Sequence, residues 1–305
     1  MGLPDTTHIG HVHLKIRDLG RSLAFYRDLL GLQEVDRDGS TVFLAARAHG
    51  PVLLVLTQWP QARPKPRHTT GLYHVAFRLP DRLELARVCQ QLIEHGWPFQ
   101  GFVDHKVSQA LYLADPDGIG LELYRDHPRE RWPWRDGHLA MRTDPLDMEA
   151  LLAEARADPR PWQGLHPDTD IGHVHLHVAD LDQAEAFYHG RLGFRVTQRD
   201  YPGARFFAAG GYHHHIGTNI WAGVGAPPPP DNAVGLRYFT VCLEDREAFQ
   251  EMASRLHAAG GAVDLGHEAI GLSDPSGNVV VLTPGEPVAH VRRWAAGVAA
   301  WEGAP

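Results

Sequence analysis

Between His11 and Ile16 the apolar residues fall on every second position. Val12, Leu14 and Ile16 share one face of an extended segment, and His11 and His13 lie on the other. Period two predicts a strand with one face in a core. Asp18 then stands where a helix N-cap belongs, an amphipathic run carries Phe25-Tyr26, and Gly31 stops it. Two or three short strands follow. The order βαβββ recurs four times, at roughly 8–60, 70–126, 170–222 and 233–284. Helices are expected at Leu83–His95 and Arg246–Ala258, and the second and fourth units each close on an Asp-Pro-x-Gly turn, at Asp115 and Asp274.

The repetition is literal in places. Ile9–Gly31 and Ile171–Gly193 share 13 of 23 positions without a gap, at an offset of 162. A duplication of half the chain accounts for this. Asp180, Phe187-Tyr188 and Gly193 repeat the cap, the aromatic pair and the stop. Pro60–Pro66 and Pro227–Pro230 read as joints, because proline breaks ladder hydrogen bonds. The expected division is a first pair of modules over 1–126, a connection over 127–169 with a helix at Asp147–Ala157, a second pair over 170–290, and a tail over 291–305. The fold class is α+β: paired modules close their sheets into two barrels with helices outside. The inner strand faces then carry His11, His13, His74, His173, His175 and His177.

Composition narrows the chemistry. The chain has 305 residues, 43% apolar and 22% charged, as in ordinary globular proteins. A net charge of −8 argues against nucleic acid or an anionic membrane as partner. No apolar run approaches the roughly 18 residues of a membrane helix, and Met1–Gly10 has no signal-peptide pattern. Cys89 and Cys242 stand alone, which suits a reducing compartment, the cytoplasm, and no disulfide framework. The unusual count is 21 histidines, the commonest ligands of transition metals.

The phrases GHVHLHVADL…AFY, LYHVAFRLPD, DPDGIGLELY and GGYHHHIGTN resemble the vicinal oxygen chelate superfamily. Within it they are most similar to the bacterial extradiol ring-cleaving dioxygenases of the catechol 2,3-dioxygenase group. The resemblance covers all four modules. It implies a metal held by inward residues on the first and last strands of paired modules. The first-strand position matches His11, His74, His173 and Tyr238; the last-strand position matches Glu122 and Val281. In the better-known members the metal sits in modules three and four, and Tyr238 and Val281 cannot hold one. Two ligand sets remain: His74 and Glu122 with His173, if module two meets module three, or with His11, if it meets module one.

The resemblance also implies a catalytic histidine beside the metal. His214-His215 resembles the family's His-His pair, with His215 matching the acid/base member; Tyr112 stands ten before Glu122, as the family pattern asks, and His105 is a candidate at the pocket rim. These favour a site between modules two and three, with His11 kept as the alternative to His173. The implied cofactors are Fe(II), with Mn(II) as a substitute, and O2 as cosubstrate; the implied partner is a small aromatic diol, with self-association left open. Two other classes stay open: a glyoxalase-like Zn or Ni lyase or isomerase, which usually wants a second carboxylate, and a metal-free protein that sequesters an aromatic drug. An ion pair from Glu122 to Arg78 or Lys106 is the structural alternative to a metal.

Overall fold

The computed structural model describes residues 2–59, 61–266, 268–285 and 288–302. Each of the four units has one opening strand, a helix and three further strands. The opening strands are His8–Ile16, Gly71–Leu79, Asp170–His177 and Gly235–Cys242. The expected helices are Arg82–Glu94, Met148–Ala157 and Arg246–Ala258. Asp18, Asp81, Asp147, Asp180 and Asp245 cap helix starts, each side chain accepting a backbone N–H two or three residues on. In modules one and three the helix widens to a π turn at the Phe-Tyr pair, where Leu30 N–H donates to Phe25 O and Leu192 N–H to Phe187 O, both at 2.9 Å.

In every module the opening strand runs parallel to the module's last strand. Between modules the opening strands pair antiparallel, and the choice of partner decides the architecture. Module one meets module four, with Val12 opposite Phe239. Module two meets module three, with His74 opposite His175. Two curled sheets result, of eight and nine strands among the described residues, and the two-residue strand Asp144–Pro145 of the connection sits at the edge of the second. Each sheet therefore draws one module from either half of the chain, across the division expected at 126 and 170.

A second set of contacts joins the modules in chain order. The Tyr26 hydroxyl donates to Asp115 at 3.1 Å, and the Tyr188 hydroxyl donates to Asp274 at 2.9 Å. Both tyrosines lie within the π turn, and both carboxylates open an Asp-Pro-x-Gly turn. The expected tail is not a tail: Val288–Glu302 is a helix, and residues 303–305 lie outside those described. Its Val291, Trp294 and Val298 pack among Phe43, Val55, Tyr238 and Val281 and fill the interior of the sheet of modules one and four. No described helix is long and apolar enough to cross a membrane.

One glycine fixes the approach of the two central strands. The pairing of Asp170–His177 with Gly71–Leu79 slips between Ile171 and His173, around Gly172. A methyl group on Gly172 would overlap the Tyr124 hydroxyl, which is buried and hydrogen-bonded to the Tyr212 hydroxyl at 2.7 Å. Gly172→Ala is expected to destabilise the protein by about 1–3 kcal/mol, because neither ring can retreat. A denaturant midpoint unchanged from wild type would show that the strands yield freely here.

Candidate metal centre

The register of the second sheet sets three side chains in one row. Glu122 lies opposite Ala76, and Ala76 lies opposite His173. The small Ala76 leaves space over the middle strand. His74, two residues before it on the same face, closes the set. Nε2 of His74 and Nε2 of His173 each stand 3.0 Å from Glu122 Oε2, and the three ligand atoms lie within 4.8 Å of one another. All three side chains are buried.

The cluster is electrostatically incomplete as protein alone. Burial pushes the Glu122 carboxyl up, but His173 and His74 outweigh it and hold it well below the usual range. Burial lowers His173 to about 4, against the pull of Glu122. A carboxylate buried against two imidazoles is costly to desolvate and tightly coupled to its neighbours. The expected alternative partners are elsewhere: Arg78 pairs with Asp170 and Asp126, and Lys106 with Asp144 and Asp104. His74 Nε2 comes close to the carboxylate without the angles of a hydrogen bond, and so is an orphaned buried atom. Two imidazoles and one carboxylate in their deprotonated forms are the donor set a divalent first-row metal takes.

His11 is in the other sheet. Its Nε2 lies 3.1 Å from the Tyr238 hydroxyl, and its backbone N–H donates to Thr240 Oγ1 at 2.7 Å. It takes no part in the cluster.

The cluster forms the floor of a cavity of about 330 Å³, which is also lined by Tyr112, His105, His175, His214, Phe206 and Trp221. Here the sequence-based expectation of His215 needs correcting. Residues 211–215 are irregular, and the strand begins only at Ile216, so a match by sequence position does not fix which histidine faces inward. His214 faces the cavity, its ring centroid 4.1 Å from that of His173. His215 turns away toward Tyr212 and Phe194, and its Nδ1 accepts the Ala209 N–H at 3.2 Å. Burial drops His215 to about 3.

His214 is held by a chain of hydrogen bonds that the sequence reading missed. Asp126 Oδ1 lies 2.9 Å from His213 Nε2, and His213 Nδ1 lies 2.7 Å from His214 Nδ1. Asp126 accepts from His213, so His213 Nδ1 carries a lone pair and accepts from His214 Nδ1–H. His214 Nε2 is then the basic nitrogen. Period two signals Asp126 in the sequence: Glu122, Tyr124 and Asp126 share one strand face. His105 is fixed in the same manner. Its Nδ1–H donates to Arg142 O at 2.7 Å, and the Tyr112 hydroxyl donates to its Nε2 at 2.8 Å. His175 also lines the cavity, and its Nε2 has no hydrogen-bond partner among the described residues.

Known proteins give the site a context. The Glyoxalase/Bleomycin resistance protein/Dioxygenase superfamily matches residues 8–123 and 170–282. A catechol-2,3-dioxygenase of Bacillus subtilis (strain 168) is 47% identical over 89% of this chain and 95% of its own length. A manganese-dependent 2,3-dihydroxybiphenyl 1,2-dioxygenase of Geobacillus genomosp. 3 is 27% identical over 62% of this chain and 54% of its own. Among solved structures, a dioxygenase fold from Bacillus subtilis superposes with a TM-score of 0.67 at 13% identity, over 98% of this chain and 91% of that one. Glyoxalase I from Zea mays superposes with a TM-score of 0.56 at 16% identity, over 96% of both chains. These two show the shared fold.

Proposed function

The chain belongs to the Glyoxalase/Bleomycin resistance protein/Dioxygenase superfamily, and from that premise we propose that it is an extradiol dioxygenase that opens the ring of catechol or a small substituted catechol. His74, Glu122 and His173 hold Fe(II), with Mn(II) able to replace it. The observation that carries this reading is the convergence of three buried ligand atoms on the cavity that His214 also lines. The identity of 47% to a catechol-2,3-dioxygenase over nearly the full length of both chains supports the same substrate class. Cys89 and Cys242 are buried and form no disulfide among the described residues, in accord with a reducing compartment, the cytoplasm.

Bound there, the metal would supply positive charge that stabilises the catecholate form of the diol. The protein supplies the rest. His214, whose Nε2 is left free of a proton by the Asp126–His213 chain, takes a phenolic proton as the diol enters and returns it later in the reaction. Tyr112, with its hydroxyl proton committed to His105, presents an oxygen that accepts from a substrate hydroxyl. Phe206 and the flanking aliphatic residues keep water from the floor. The balance is one catechol and one O2 to one ring-opened muconic semialdehyde, with both oxygen atoms in the product.

The glyoxalase-like alternative uses a second carboxylate, and the metal cluster among the described residues has one. Iron-loaded protein given catechol should consume one O2 per catechol and form a yellow product. Retention of both labelled atoms from isotopic O2 would identify the reaction. Absence of O2 uptake from protein with a full complement of iron would overturn the proposal.

A further inference from the structure

The floor and the rim of the cavity come from different parts of the chain. The three candidate ligands and His214 are buried, whereas Tyr73, Thr143 and Trp221 are exposed where the cavity opens, with Tyr201 half-buried beside them. Thr143 belongs to the connection between the two halves. Tyr201 lies in the turn between the strands Arg195–Gln198 and Ala204–Ala208 of module three. Their hydroxyls meet across the opening at 2.6 Å. The same turn is held from the other side: the Trp221 indole N–H donates to Pro202 O at 3.1 Å, and its ring meets Tyr73 edge-on at a centroid distance of 5.4 Å. Gly203, with φ +68°, leaves room for that indole, since a Cβ there would stand 2.9 Å from Trp221 Nε1.

The connection is anchored firmly enough for this contact to matter. Asp144 pairs with Asp104 at the sheet edge and forms an ion pair with Lys106 at 2.9 Å. Below the rim, Met141 of the connection and Phe206 of module three belong to one apolar cluster. An unbroken series of contacts therefore runs from the connection through the 201–203 turn to module two. A diol that chelates through vicinal oxygens must point those oxygens at the floor. Substituents on the far carbons of the ring then reach the rim.

We propose that this collar determines specificity, with Tyr201 setting the largest ring substituent that reaches the floor in a productive pose. The inference rests on the catechol-cleaving reading above. The test measures kcat/KM for catechol and for a phenyl-substituted catechol in the metal-loaded full chain. Tyr201→Ala should raise the ratio of phenyl-substituted to unsubstituted substrate about tenfold or more, the scale of steric discrimination in a pocket. Tyr201→Phe and Thr143→Val keep the packing and cut only the hydroxyl contact; each should raise the ratio a few-fold. These two carry the test if Tyr201→Ala folds poorly. An unchanged ratio in folded, active variants, with both kcat/KM values falling together, would mean that Tyr201 is merely structural and would overturn the collar alone. A wild type that consumes O2 with neither catechol would overturn the function as well.

Discussion

Glu122→Ala is expected to leave purified protein without stoichiometric metal and without ring cleavage. Glu122 is the one carboxylate of the cluster and the atom both imidazoles approach. Losing an outer partner of a ligand typically costs 10–100-fold in metal affinity, so losing the ligand itself should cost more than about 100-fold. Two measurements separate a lost ligand from a damaged fold. Metal at about a hundred times its Kd should stabilise the wild type by roughly 2.7 kcal/mol through linkage, whereas the melting temperature of Glu122→Ala should not respond to it. The metal-free variant should also keep the circular dichroism spectrum and the cooperative unfolding of metal-free wild type. His74→Ala and His173→Ala should lose metal likewise. His11→Ala should keep it, because His11 faces Tyr238 in the other sheet. Wild-type iron content in Glu122→Ala, or its loss in His11→Ala, would sink the site assignment.

His214→Asn and His214→Phe should retain the metal and slow turnover by about 10²–10⁴-fold, the range for removal of a general acid or base. Asn keeps a polar side chain and Phe keeps the ring, so agreement between them would isolate proton transfer from packing. Asp126→Asn should lower kcat less, since it loosens the hydrogen bonds that hold His213 and through it His214. His215→Asn should change kcat only a few-fold, since that ring lies outside the cavity. The reverse order of His214 and His215 would restore the sequence-based choice. Loss of metal from the His214 variants would make His214 a ligand and remove it from acid/base duty.

Much of the architecture was legible because it is written twice. The duplicated 23-residue segment exposed the modules, and the helices expected at Leu83–His95 and Arg246–Ala258 agree with the structure to within a residue. Glu122 stood out because the matching position in module four holds Val281. Contacts that depend on where an irregular segment goes were not legible. The resemblance matched His215 to the acid/base position, but the segment 211–215 is irregular, and it is His214 that reaches the cavity. His213 and Asp126 are 87 residues apart and meet only through the cross-chain sheet. The helix Val288–Glu302 has apolar residues on its inner face, but nothing local says that it fills a cavity rather than trailing as a tail.

The two kinds of module contact alternate around a closed ring: Tyr–Asp hydrogen bonds join one to two and three to four, and sheet pairing joins two to three and four to one. This has a consequence for synthesis on the ribosome. The strand His8–Ile16 is made first, but its partner is Gly235–Cys242. At about 5–20 residues per second it waits roughly 11 to 45 seconds with one apolar edge unpaired. Pairing at such sequence separation is a slow, high-contact-order step, and a bare edge during that interval invites pairing with another nascent chain. The yield of active protein should therefore depend more on translation speed, temperature and chaperone supply than the stability of the finished molecule would suggest.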